Sequence, residues 1–177
     1  EYTKYSLGKT TIVEVRGDGH QSVVPPSTHP SGECYVWEVP PHQPELRTPE
    51  ELFEVLSLAI TAFVTGTNWT EGQRHEMALA LGGWLASIRV PEGVALGIVS
   101  AVCLVTGDSE PEGRERDVRD SYRRVEAGLP VTGFETLGER VGEDGRRLLR
   151  KLWPATSSSR ATAQPGSTMD ALADAYV

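Results

Sequence analysis

Side chains able to do chemistry lie in two short stretches near the start of the chain. Glu14 and Arg16 stand two positions apart in a β-branched, alternating segment, so a strand would place them on one face. On strand chemistry alone they form a surface ion pair worth less than about 1 kcal/mol. The second stretch carries Ser27 and His29, whose polar groups can satisfy the backbone of a structured turn.

Turn-forming residues and prolines position these side chains. Residues 11–16 and 22–24 predict the two strands of a β-hairpin, and Gly-Asp-Gly at 17–19 predicts its turn. The double proline at 25–26 ends the second strand, because neither residue has an N–H to donate to a sheet. A third alternating strand is predicted at 34–37. Three strands cannot enclose a core, so we expect the rest of a sheet before residue 1.

The ordered motifs in this region resemble the end of the catalytic domain of the bifunctional primase-polymerases (prim-pol) of phage, plasmid and bacterial replication. The shared pattern is an acidic strand residue, Arg-Gly-Asp-Gly at 16–19, Pro-Pro-Ser-Thr-His-Pro-Ser-Gly at 25–32 and Tyr-Val-Trp at 35–37. The chain departs from this pattern at Glu14, where the family usually has Asp.

The resemblance implies a role for each of these side chains. Glu14 would be catalytic, as the third carboxylate of a site that binds Mg²⁺ or Mn²⁺ for two-metal nucleotidyl transfer. Arg16 would face a nucleotide phosphate, while Ser27 and His29 would help to form a nucleotide-binding pocket. The parent protein would be a DNA primase and DNA polymerase that uses a single-stranded DNA template and nucleoside triphosphates.

The rest of the chain has a helical period. Thr48, Pro49 and Glu51 predict a helix start with a capping box. We predict four longer helices and two short ones, at residues 48–66, 70–88, 91–107, 111–127, 134–141 and 145–153. The third is apolar nearly all round and is expected at the centre of a bundle. The buried stripe of the first is predicted to comprise Leu52, Val55, Leu56, Ala59, Ile60 and Phe63.

The helical part also resembles the helix-bundle domain that often follows a prim-pol domain. The matching motifs are Gly-Gln-Arg-His at 72–75, Gly-Asp-Ser-Glu at 107–110, Arg114, Ser-Tyr at 121–122 and Leu-Pro-Val-Thr-Gly at 129–133. The resemblance implies that the bundle contacts template and nucleotide during initiation.

Antiparallel packing of the second and third helices would bring polar residues together at one end of the bundle. Arg74 and His75 would then approach Asp108, and Arg114 would enter from the next helix. One interpretation is a structural polar network around Asp108. The other is a pocket in which Arg74, His75, Arg114 and Tyr122 contact the phosphates of template or nucleotide.

Composition and charge bound these hypotheses. The net charge of −8 does not favour nucleic-acid binding, and most arginines are interleaved with Asp or Glu, as on a solvated helix face.

No apolar run approaches a membrane span and no secretory signal is seen, so we expect a cytoplasmic protein with no membrane partner. Cys34 and Cys103 lack the spacing of zinc ligands and are predicted to be buried free thiols.

The predicted fold class is α+β, with a small antiparallel β piece followed by an α-helical bundle. The expected domains are catalytic-domain strands at 1–38, a proline-rich linker at 39–47, the bundle at 48–153 and a disordered tail at 154–177. We expect a fragment without a full active site, inactive alone. The alternative is a non-catalytic helical module that binds DNA, nucleotide or a helicase domain or subunit.

Overall fold

A computed structural model describes residues 2–39, 41 and 46–154. The described part contains a two-stranded antiparallel sheet and five helices, so the predicted α+β class is confirmed. The chain divides into two compact units, which we call the hairpin unit (Glu1–Phe53) and the bundle unit (Glu54–Val177). The expected domain limits stay a prediction. Most of the expected linker, and the expected tail from residue 155 onward, lie outside the described residues.

The hairpin pairs strand β1 (Thr3–Leu7) with strand β2 (Thr10–Val15). The prediction that the second of these strands pairs with residues 22–24 is wrong, because that segment forms no strand. The turn between the strands contains Gly8 at a φ of 59°, a conformation that glycine adopts without strain. Because the turn is this short, β2 pairs with β1, the strand directly before it.

The loop after the double proline folds back on itself. The Ser27 carbonyl accepts a hydrogen bond from the Tyr35 N–H at 2.9 Å, and Thr28 forms a single bridge with Cys34. The predicted third strand is thereby reduced to one bridge. Cys34 is exposed, so its predicted burial is wrong. Cys103 is buried as predicted, and burial raises the pKa of its thiol to about 11.

Helix α1 (Pro49–Gly66) begins with the predicted capping box, but its buried side is not the predicted stripe. The Glu51 N–H donates to Thr48 Oγ1 at 3.2 Å, and the Thr48 N–H donates to the Glu51 carboxylate at 2.8 Å. Four residues of the predicted stripe are exposed, namely Leu52, Val55, Ala59 and Phe63. The buried residues are Ser57, Ile60, Thr61, Val64 and Thr65, of which Ile60 alone belongs to the predicted stripe. Hydroxyls can be buried on a helix when they bond the backbone, as Thr61 Oγ1 does with the Ser57 carbonyl at 2.6 Å.

The remaining helices lie close to their predicted positions. They are α2 (Arg74–Ser87), α3 (Glu92–Thr106), α4 (Pro111–Glu126) and α5 (Phe134–Leu152). Helix α2 begins later than predicted, because residues 71–73 form a turn. The two short helices predicted at the end are the halves of α5, which breaks at Gly142 with a φ of 75°.

Helix α2 lies at the centre of the bundle unit, and the prediction that α3 does so is wrong. Helix α2 packs against α3, α4 and α5, whereas α3 leaves Leu104 and Val105 exposed near its end. Two glycines allow this close packing. A Cβ on Gly83 would lie 1.9 Å from the Thr132 carbonyl oxygen, and one on Gly82 would lie 2.9 Å from a backbone atom of α4. Small residues on α2, rather than the apolar content of α3, determine which helix is enclosed.

Candidate functional site

One face of the hairpin gathers polar side chains around a single carboxylate. Lys4 lies opposite Glu14 in the strand register and its Nζ is 4.0 Å from Oε1. The Tyr2 hydroxyl donates to Glu14 Oε1 at 3.0 Å. Arg16 donates to Oε2 from Nε at 3.2 Å and from Nη2 at 2.9 Å. Arg16 also donates to the Gln21 carbonyl at 3.1 Å, which ties the turn after β2 to this face.

We call Tyr2, Lys4, Glu14 and Arg16 the Glu14 cluster. The hydrogen bonds from Arg16 and then from Tyr2 hold the pKa of the Glu14 carboxyl below its ordinary value. The bond to Glu14 in turn raises the pKa of the Tyr2 hydroxyl. Glu14 is therefore a carboxylate at neutral pH, which is the form that binds divalent metals.

The Glu14 cluster does not by itself complete a site for a divalent metal. Mg²⁺ and Mn²⁺ take several oxygen ligands, and Glu14 is the one carboxylate in the cluster. Across the described part of the chain, no group of three or more His, Cys, Asp or Glu side chains could hold a metal ion. The described residues therefore fit Glu14 as one ligand at most, and they do not fit a whole site.

The loop that carries Ser27 and His29 is held by bonds of its own. His29 Nδ1 accepts the Ser31 N–H at 3.1 Å and lies 2.8 Å from the Ser31 hydroxyl. A backbone N–H can only donate, so the neutral ring carries its proton on Nε2. Ser27 is exposed and bonds Tyr35 through its carbonyl. Within the described residues, no hydrogen bond or ion pair joins this loop to the Glu14 cluster.

A second cluster forms around Asp108 in the bundle unit. The Asp108 side chain is 0% exposed and accepts hydrogen bonds from Trp69 Nε1 at 2.8 Å and from Arg114 Nε at 3.1 Å. The Glu110 N–H donates to its other oxygen at 3.0 Å, and Arg74 lies 3.5 Å from that oxygen. The structure thus brings Arg74, Asp108 and Arg114 together, as antiparallel helices α2 and α3 predict. Their role stays a prediction.

Further carboxylates surround the two guanidiniums. Arg114 pairs with Glu110 at 3.0 Å and lies 4.0 Å from Asp117. His75 contacts Asp117 at 2.8 Å, rather than Asp108. Three carboxylates therefore face two guanidiniums and an imidazole, which neutralises the positive charge that a phosphate would need. We call this set the Asp108 cluster, comprising Trp69, Arg74, His75, Asp108, Glu110, Arg114 and Asp117.

The two arginines of the Asp108 cluster differ in how many of their donors are used. Burial raises the pKa of the Asp108 carboxyl, but its hydrogen bonds, the Glu110 N–H first, outweigh burial and hold the pKa below its ordinary value. Burial also lowers the pKa of Arg114, but the bond to Asp108 and the negative charges of Asp108, Glu110 and Asp117 together raise that pKa above its ordinary value. Arg74, by contrast, has a buried Nε without a partner, and its side chain is 21% exposed.

Tyr122 lies apart from the Asp108 cluster. Its hydroxyl donates to the Val90 carbonyl at 2.8 Å, and its side chain is buried. Burial raises the pKa of the hydroxyl. Along α4 it is about 12 Å from Arg114. The structure therefore does not bring Tyr122 to the residues with which the sequence grouped it.

Tyr2, Lys4 and Trp69 were not predicted from the sequence as site residues. The first two were missed because β1 was not predicted, although residues 2–7 alternate and are followed by a Gly-Lys turn. Those signals could have placed Lys4 opposite Glu14. Trp69 falls between α1 and α2 and belongs to no periodic pattern, so nothing in the sequence points to its bond with Asp108.

Comparison with known families bears on the hairpin unit. Residues 2–54 match the family model described as bifunctional DNA primase/polymerase, N-terminal. The match confirms the prim-pol relationship for this segment, which contains Glu14, Arg16, Ser27 and His29. Neither the curated proteins nor the solved structures include a significant match. In the described residues, no helix has the length and apolar character needed to cross a membrane.

Proposed function

We propose that this chain is part of a replication primase-polymerase that performs template-directed nucleotidyl transfer, making primers or extending DNA. The observation that carries this proposal is the family match over residues 2–54, which includes the whole Glu14 cluster. The substrates would be nucleoside triphosphates and a single-stranded DNA template. We propose a phage or plasmid replication system in the cytoplasm as its setting, with a helicase domain or subunit as a further partner.

In this proposal Glu14 is a catalytic residue and a ligand of Mg²⁺ or Mn²⁺. The ions would supply the charge that stabilises the attacking and leaving oxygens. Arg16 is 46% exposed and would contact a nucleotide phosphate with donors that Glu14 leaves free. His29 would offer its Nε2 proton to the nucleotide, since its other ring nitrogen is occupied by Ser31. Ser27 would add a hydroxyl from the same loop.

The described residues would not perform this reaction alone. Two-metal transfer needs several carboxylates, and the Glu14 cluster holds one. The remaining ligands would come from residues outside the described part or from another chain. We therefore expect the isolated chain to incorporate no nucleotide on a primed template, even with Mg²⁺ or Mn²⁺ present.

The test is nucleotide incorporation by the whole protein that contains this chain, with Glu14 replaced. Glu14→Gln should lower incorporation by about 100-fold or more, because the amide cannot replace an anionic ligand. Glu14→Asp should retain most activity, since Asp stands there in the resembling proteins. Glu33→Gln is the matched control on an exposed glutamate of the same unit. Incorporation by Glu14→Gln equal to that of Glu33→Gln would contradict the proposal.

A second candidate function is a non-catalytic module in which the bundle binds template or nucleotide. One observation supports it: Arg74 has an Nε without a partner at the start of α2, where Gln73 provides no side-chain cap. Uncapped N–H groups and the helix dipole favour an anion at such an end. His75 is 65% exposed beside it and could add a contact. Arg114 would take part only by giving up carboxylates that it already binds.

A further inference from the structure

Two aromatic rings stack on the exposed face of the hairpin unit. The rings of Tyr2 and His20 have centroids 5.0 Å apart and planes inclined by 18°. Tyr2 is 42% exposed, and His20 is exposed as well. The stack therefore contributes little to a core, and ring surface is left open to solvent.

Each ring is held in place by its own bonds. Tyr2 directly precedes β1, and its hydroxyl is anchored on Glu14 at 3.0 Å. His20 follows the turn after β2, where its Nδ1 lies 3.3 Å from the Asp18 carbonyl. The bond from Arg16 to the Gln21 carbonyl fixes the same turn. The two rings are thus positioned before any ligand arrives, which lowers the entropy lost on binding.

Cationic side chains stand next to the stack. Lys4 and Arg16 are 47% and 46% exposed, and both lie within ion-pair distance of the Glu14 carboxylate that anchors Tyr2. These two cations share one carboxylate, so the cluster retains positive charge beside an open aromatic surface. Aromatic faces beside basic groups are the combination that binds the bases and phosphates of unpaired nucleotides.

We propose that Tyr2 and His20 form a stacking platform for a nucleobase, with Lys4 and Arg16 contacting the phosphate attached to it. The proposal rests on the proposed function and adds to it a base-binding site in which Tyr2, Lys4 and His20 had no predicted role. The base could belong to a single-stranded DNA or to a free nucleoside triphosphate. Both present the same π face and phosphate charge.

The experiment uses the full chain with two probes at low salt, about 50 mM. One is a short oligodeoxynucleotide containing 2-aminopurine, and the other is 2-aminopurine nucleoside triphosphate. Stacking on the platform should change the 2-aminopurine emission. Tyr2→Ala should remove that change and weaken binding by about 5- to 100-fold, the range for loss of one base stack. Tyr2→Phe keeps the ring but loses the bond to Glu14, so it should keep the emission change and bind more tightly than Tyr2→Ala.

Two controls separate stacking from other effects. Phe63→Ala removes an aromatic side chain of similar exposure, 46%, from the bundle unit and should change neither signal. A strand of the same length without bases should bind weakly to the wild type, and Tyr2→Ala should weaken it no further, because the contact with the base is already absent. If only the oligonucleotide changes its 2-aminopurine emission, the platform binds template. If only the triphosphate does, the platform binds the free nucleotide.

The platform would be overturned by binding whose affinity and emission are the same in the wild type, Tyr2→Ala and His20→Ala. That outcome leaves the proposed function standing, with base contacts elsewhere. Absence of binding by the wild type would also overturn the platform, while the incorporation assay on Glu14 still decides the proposed function. If Glu14→Gln incorporates nucleotide as well as its control does, while stacking is intact, the proposed function is overturned and a nucleotide-binding surface remains.

Discussion

The Glu14 cluster and the Asp108 cluster each pair a carboxylate with arginine, and they differ mainly in burial. In the hairpin unit, Glu14 and Arg16 are 27% and 46% exposed. In the bundle unit, Asp108 and Arg114 are 0% and 13% exposed. The buried carboxylate receives bonds from three elements of structure, whereas the exposed one is bonded by its own hairpin.

This difference in burial indicates a difference in role. A buried charge is costly unless the groups around it are satisfied, so we expect the Asp108 cluster to have a structural role and few donors to spare. An exposed charge keeps water-accessible lone pairs and donors, so the Glu14 cluster can exchange water for a ligand at little cost in stability. The four predictions below test this contrast, from the largest expected effect on stability to the smallest.

Replacing Asp108 should have the largest effect. Asp108→Asn leaves Arg74 and Arg114 without their central anion, and breaking a buried pair costs about 3–5 kcal/mol. The free energy of unfolding by urea measures the loss. Asp144→Asn is the matched control, since Asp144 is 53% exposed in a pair with Arg147 and should change stability by less than about 0.5 kcal/mol. Equal effects at the two positions would contradict a structural role for the Asp108 cluster.

Gly83→Ala should destabilise the bundle by roughly 2 kcal/mol or more. The added Cβ would lie 1.9 Å from the Thr132 carbonyl oxygen, so the backbone must move to admit it. The control is Gly93→Ala in α3, where nothing lies within 4 Å and the better helix former should raise stability by about 0.5–1 kcal/mol. A melting temperature of Gly83→Ala equal to or above that of the wild type would argue against α2 as the central helix.

The Asp108 cluster should also make stability depend on pH. The pKa of Asp108 is lowered in the folded state, so the native chain binds fewer protons than the unfolded chain and stability rises with pH in that range. The contribution of Asp108 to the free energy of unfolding is fully present above the ordinary Asp pKa, about 4. It is lost as pH falls through the lower pKa that Asp108 has in the folded state. Urea midpoints measured from pH 6 to pH 3 should fall more steeply for the wild type than for Asp108→Asn. Parallel curves would contradict this.

Glu14→Gln should have the smallest effect on stability. The side chain lies on an open face, and the amide oxygen can still accept a hydrogen bond from Tyr2 or Arg16. We expect a urea midpoint indistinguishable from that of the wild type, recorded in the same series as Asp108→Asn. A midpoint shift comparable to that of Asp108→Asn would mean that the Glu14 cluster also holds the fold together.

Features that depend on local chemistry were predictable from the sequence, whereas features that depend on packing partners were mostly missed. The capping box of Thr48 and Glu51 and the limits of α3 and α4 follow from caps, prolines and glycines, and all are present. The proximity of Arg74, Asp108 and Arg114 was predicted from the positions of the helix ends and their antiparallel packing. The buried side of α1 and the central helix depended on which surfaces meet, and the helical period alone did not encode them. The partner of β2 was missed although residues 2–7 alternate and precede a Gly-Lys turn.

The measurement that tests the contrast most directly is fluorescence anisotropy of a labelled single-stranded oligonucleotide, titrated with the wild type, Arg16→Gln and Arg74→Gln at two salt concentrations. If the Glu14 cluster carries the ligand contacts, Arg16→Gln should weaken binding. It should also lower the slope of log affinity against log salt concentration by about one, as loss of one phosphate contact does. Arg74→Gln should then lower the urea midpoint and leave binding unchanged. Weaker binding by Arg74→Gln, with Arg16→Gln equal to the wild type, would place the nucleic-acid site in the bundle and contradict this account.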